Sequence, residues 1–149
     1  MANLITHLSG LTLAHPVMPA AGPPVRDGKA LLACAAGGAA ALVTKTISVK
    51  AAEVPSPNMA DFKTYFLNTE LWSELPPEQW LEKEYAITRQ ANLPVIISLG
   101  YSTEDIAKLA PQVAPFADAL ELSTHYISND PGPMQDAIRA AKATGLPVW

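Results

Sequence analysis

The chain has 149 residues, about one domain's worth, with 49% hydrophobic and 16% charged residues, so it can bury a sizeable core. A formal net charge of −4, with lysines and arginines scattered singly, excludes the basic footprint of a nucleic-acid binder. No apolar run reaches the roughly 18 residues of a membrane span, and the single cysteine, Cys34, excludes an internal disulfide.

The segment from Met1 to His7 shows neither a charged leader nor a long apolar stretch, so no signal peptide is expected and the expected location is cytoplasmic. A first strand is expected over His15–Ala20, closed by the Ala21-Gly22-Pro23-Pro24 turn. A helix follows from about Asp27 to Ala36 and stops at Gly37-Gly38. The second strand is Ala40–Thr46, and a long irregular stretch, Ser48–Pro76, carries one short apolar piece at Tyr65-Phe66-Leu67. Pro77 and Glu78 open the next helix, which runs to about Gln90, with Glu78, Glu82, Lys83 and Glu84 read as a solvated face.

The third strand is Leu93–Leu99. Ser102, Thr103, Glu104 and Asp105 cap a helix whose apolar positions are Ile106, Leu109, Ala110 and Val113. The fourth strand is Ala119–Thr124. The last helix starts near Pro133, shows helical spacing at Met134, Ala137, Ile138 and Ala141, and ends at Gly145. Leu146–Trp149 opens a fifth strand.

Apolar strands alternating with helices imply a parallel sheet covered by helices. The phrase Asn92-Leu93-Pro94-Val95 returns as Gly145-Leu146-Pro147-Val148. Repetition of one unit favours a barrel over a doubly wound sheet. The fold class is therefore α/β, the N-terminal half of a parallel (β/α)8 TIM barrel, because a whole barrel needs about 250 residues. On that reading residues 1–149 form a partial domain. The phosphate-binding loops that follow the last strands of such barrels would lie outside it.

Four segments make the sequence familiar: LTLAHPVMPAAG (Leu11 to Gly22), ALVTKTIS (Ala41 to Ser48), FLNTELWSE (Phe66 to Glu74) and ADALEL (Ala117 to Leu122). In motifs and spacing the chain resembles the class 1 dihydroorotate dehydrogenase family, including the flavin barrel of dihydropyrimidine dehydrogenases. The resemblance implies an FMN cofactor. It implies that Ala20, Ala21 and Gly22 let backbone approach the flavin ring, and that Lys45 and Thr46 contact the flavin. It also implies that strand 3, through Ser98, lies close to the flavin, that Asn68 anchors substrate, and that Glu70 lies on a substrate loop. Where the family has a phrase like ELNLSCPN, this chain reads Glu121-Leu122-Ser123-Thr124-His125-Tyr126. Ser123 replaces an asparagine ligand, and Tyr126 stands near the position of the family's acid/base residue.

The residues give independent reasons for the same positions. A lysine ending an apolar strand is costly unless its amine reaches a polar cavity or a partner. Strand ends at the C-terminal face of a barrel look into the active site. Histidine is the usual acid/base group near neutral pH, so His125 and Tyr126 are the candidate acid/base pair, with Lys45 as the third catalytic residue. Metal binding is not expected, since one cysteine and three scattered histidines give no ligand spacing. His7, His15 and the three tryptophans are read as structural or packing residues.

The expected activity is hydride transfer between FMN and a CH–CH or C=C bond beside a carbonyl of a small molecule. The alternatives are a flavin-independent lyase or aldolase using Lys45 and a non-catalytic paralogue kept for assembly. Expected partners are a small-molecule substrate and either a second copy or a redox partner subunit, with no nucleic acid and no membrane.

Overall fold

The chain opens on a hairpin that its sequence did not announce. In the computed structural model, which describes residues 3–123 and 130–149, β1 (Thr6–Leu8) pairs antiparallel with β2 (Leu11–Leu13). Ser9 (φ 46°) and Gly10 (φ 87°) form the turn, both left-handed as a tight two-residue hairpin loop demands.

The expected first strand over His15–Ala20 is not a ladder strand. It is held to its neighbour by one backbone bond, Ala40 N–H to Val17 O at 3.0 Å. Pro16 and Pro19 have no N–H to give, so two of the six residues lack the donor that a ladder would use.

The centre is a three-stranded parallel sheet in the order β3 (Leu42–Val43), β6 (Val95–Leu99), β7 (Ala119–Leu122). Leu42 lies opposite Val95, and Ile96 opposite Ala119. At the far edge Val148 bridges in parallel to Leu120. The Val17 segment, the three strands and Val148 therefore neighbour one another in chain order without a reversal. The architecture is mixed α/β, and this order is compatible with part of a (β/α) barrel.

Each helix buries the stripe that its spacing dictates. In α4 (Thr103–Val113), Ser102 caps the first turn and Ile106, Leu109, Ala110 and Val113 are buried. Burying each of its larger aliphatic side chains contributes about 1.5–3 kcal/mol. Pro111 sits inside this helix without ending it. α1 (Gly28–Ala36) is capped by Asp27, whose carboxylate accepts from Ala30 N–H at 2.8 Å. α5 (Gly132–Lys142) buries Ala137 and Ala141. Asn92 (φ 53°) and Gly145 (φ 79°) are left-handed in the same place of the repeated phrase, each turning a helix into the next strand.

The helix expected over Pro77–Gln90 is composite. It comprises α2 (Pro77–Gln79), a π-helical stretch (Trp80–Glu84), α3 (Tyr85–Thr88) and a closing 3-10 turn at Arg89–Ala91. Trp80 and Tyr85 are fully buried, with rings 5.2 Å apart. Glu84 corrects the reading of a solvated face. It is buried, and its carboxylate accepts from Gly28 N–H at 2.9 Å, tying this helix to the start of α1.

The stretch between β3 and α2 holds a second hairpin, β4 (Met59–Asp61) paired antiparallel with β5 (Phe66–Asn68). The apolar piece noticed in the sequence is its second strand. Among the described residues no helix is long and apolar enough to cross a membrane.

Candidate active site

The site begins with a fault in the parallel ladder. Thr44 N–H bonds Ile96 O at 3.0 Å, and the next bond runs from Ile47 N–H to Ser98 O at 3.0 Å. Thr44 to Ile47 spans one residue more than Ile96 to Ser98, so the strand end carries a one-residue bulge. Bulges re-aim side chains and are enriched beside active sites. The re-aimed residues are Lys45 and Thr46. The bulge is pinned by Thr44 Oγ1, which accepts from Ser98 N–H at 3.2 Å, and by Thr46 Oγ1 against Ser98 Oγ at 2.8 Å.

The second hairpin brings the remaining polar groups. Thr69 N–H bonds Asn58 O at 2.8 Å, extending the β4–β5 pairing past its ends. Asn68 Oδ1 then accepts from Glu70 N–H at 2.7 Å, a local turn that fixes the Glu70 backbone. Lys45 Nζ lies 2.6 Å from Glu70 Oε2, with only 6% and 11% of the two side chains exposed. Asn58 Nδ2 donates to the other oxygen, Glu70 Oε1, at 2.5 Å.

A cavity of about 410 Å³ opens at the C-terminal ends of the parallel strands. It brings together seven residues picked from the sequence: Ala21, Gly22, Lys45, Thr46, Asn68, Glu70 and Ser123. Gly22 is extended (φ −157°), so its turn does not require glycine. An added Cβ would meet no atom closer than 3.8 Å. The space beside its backbone is therefore free for a ligand. The far wall is aromatic, with Trp72 and Tyr101 packed edge to face at 5.3 Å. The Trp72 indole is held by donation from Nε1 to Lys50 O at 2.7 Å.

Two expected ligand contacts fall elsewhere. Ser98 is fully buried, with its hydroxyl committed to Thr46, so it shapes the bulge and does not line the cavity. Ala20 is exposed and lies outside the lining. His125 and Tyr126, the expected acid/base pair, lie outside the described residues.

Sequence reasoning missed Asn58, Trp72 and Tyr101. Trp72 stands inside the NTELW segment, where the sequence alone reads it as packing. Asn58 and Tyr101 gave no signal, because pairing across a hairpin and the wall of a distant loop have no local pattern. Among the described residues no group of three or more His, Cys, Asp or Glu side chains could hold a metal ion.

No family model matches the chain. The chain is 27% identical, over 162 aligned positions covering all of it, to the catalytic subunit of dihydroorotate dehydrogenase B (NAD(+)) from Thermoplasma volcanium. The match covers 54% of that protein, so the chain spans about half the length of the curated relative it matches. The likeness is distant, and it supports a relationship to dihydroorotate dehydrogenases and to oxidoreductases only loosely.

Proposed function

We propose that the chain is the N-terminal part of an FMN-dependent oxidoreductase barrel acting on a CH–CH or C=C bond beside a carbonyl. The observation that carries this reading is the convergence of Ala21, Gly22, Lys45, Thr46, Asn68, Glu70 and Ser123 on one cavity at the strand ends. These positions come from four separate stretches of chain. The distant likeness to a dihydroorotate dehydrogenase catalytic subunit supports the same reading.

The residues present fit a flat flavin. Gly22 leaves open space beside its backbone, and Ala21 adds only a methyl group to the same wall. Bound FMN would supply the hydride chemistry, while the protein orients the substrate and excludes water. Ala21 and Gly22 form a low wall for the ring. Lys45 and Thr46, aimed by the bulge, form its polar edge. Asn68 and Ser123 lie on the same cavity and can hold the polar atoms of a small carbonyl compound. The proton that accompanies hydride transfer is assigned to His125 or Tyr126, which come three and four residues after the end of β7 in sequence.

A lyase or aldolase using Lys45 as an amine nucleophile is less well supported. A Schiff-base lysine must be free to attack, whereas Lys45 is engaged by Glu70 at 2.6 Å. The test is to load full-length protein with FMN and follow flavin bleaching with a panel of dihydropyrimidines, whose CH–CH bond supplies the hydride and the proton. At least one compound should bleach the flavin, and Lys45→Met should slow that bleaching. Bound flavin that no compound reduces would favour the non-catalytic alternative.

A further inference from the structure

The Lys45–Glu70 pair stands between two cavities. The active-site cavity lies on one side. On the other is a space of about 460 Å³ that reaches Arg26, Asp27 and Asn58. Lys45 and Glu70 line both. The lysine therefore offers no open positive charge to either space. Its neutralising carboxylate is part of the same wall.

Glu70 is held by three bonds, two of them to its carboxylate. Lys45 Nζ takes Oε2, Asn58 Nδ2 takes Oε1, and the Glu70 backbone N–H is tied to Asn68 Oδ1. Asn58 is itself fixed through its carbonyl, which accepts from Thr69 N–H and Thr69 Oγ1. A carboxylate so held does not swing away freely when a ligand arrives.

We propose that Glu70 is a built-in counter-anion for Lys45, so that the cleft selects neutral planar carbonyl compounds and turns away carboxylates. A ligand anion close enough to use Lys45 would also lie against the Glu70 carboxylate. In this sheltered setting, repulsion between like charges is screened far less than in water. A neutral amide meets no such opposition and can donate an N–H to Glu70. Selection arises from the penalty imposed on the wrong ligand as much as from contacts with the right one. The inference concerns the cavity itself and does not depend on FMN being its cofactor.

Benzoate and benzamide, nearly isosteric and differing in charge, test it on flavin-free full-length protein by thermal shift and ligand-observed NMR. Glu70→Gln should gain about tenfold in benzoate affinity while benzamide affinity changes by less than about twofold. Adding Lys45→Met to Glu70→Gln should abolish the gain. Asn58→Ala, which loosens Glu70 without removing it, should give a smaller gain of the same sign and serves if Glu70→Gln does not fold. Absence of benzoate gain in the folded variant would overturn the proposal, as would an equal gain for benzamide. Neither result would bear on the flavin assignment, which is read separately from FMN binding.

Discussion

Lys45 Nζ and Glu70 Oε2 are 2.6 Å apart in a setting where both side chains are about nine-tenths buried. The two residues come from a bulged strand end and from the far side of a hairpin. Their contact ties the β4–β5 hairpin to the sheet. Removing one partner leaves a buried charge uncompensated, at a cost of about 3 kcal/mol. Lys45→Met and Glu70→Gln should each lower the urea midpoint. The double variant should recover part of the loss, with a coupling energy above about 1 kcal/mol. Additive losses in the cycle would mean that the pair does not hold the hairpin.

Gly22 separates stability from ligand binding. Its extended backbone suits any residue, and an added Cβ meets nothing closer than 3.8 Å. Gly22→Ala should therefore raise stability by about 0.4–1 kcal/mol through a less flexible unfolded chain. It should also weaken FMN binding by about tenfold, because the methyl group occupies the space proposed for the ring. Chemical denaturation and flavin titration of the same variant check both halves.

Gly28 is the opposite case. A Cβ there would come within 2.7 Å of Glu84 O and 2.8 Å of Ile87 Cβ, and the first of these is backbone. Alanine is ordinarily the better helix residue by about 0.8–1 kcal/mol. Here Gly28→Ala should instead destabilise by about 1–3 kcal/mol through overpacking. A stabilised variant in thermal melts would show that α1 and α3 can separate without loss.

Tyr85 makes stability depend on alkaline pH. It is fully buried, its hydroxyl has no hydrogen-bond partner among the described residues, and burial pushes its pKa well above the usual tyrosine value. The unfolded chain loses this proton first, at about pH 10. The contribution is therefore fully present below about pH 10 and is lost as pH rises beyond it. Tyr85→Phe should be close to neutral near pH 8 and should flatten the fall in the urea midpoint between about pH 8 and about pH 10.5. An unchanged slope would place the titration elsewhere.

Much of this fold could be read before the structure. The cap at Ser102 and the helix end at Gly145 follow from local chemistry, and they lie where the sequence puts them. So do the apolar stripe of α4, the end of β6 at Leu99 and the start of β7 at Ala119. What escaped depends on partners distant in sequence. Glu84 looked like one more charge on a wet helix, and only Gly28, fifty-six residues away, makes it a buried tie. The bulge at Lys45 and Thr46 is a mismatch between two strands, so it has no signature in either one. Asn58 acquires its role only once the β4–β5 hairpin has set it beside Glu70. The family resemblance places Ser98 near the cofactor, yet its hydroxyl is turned to Thr46.

The central claim is that the cavity at Gly22, Lys45 and Thr46 is a flavin site, and colour tests it most directly. Full-length protein should purify yellow, or become so on incubation with FMN, with an absorbance band near about 450 nm that stays with the protein through gel filtration. Colourless protein that retains no FMN after reconstitution would contradict the account.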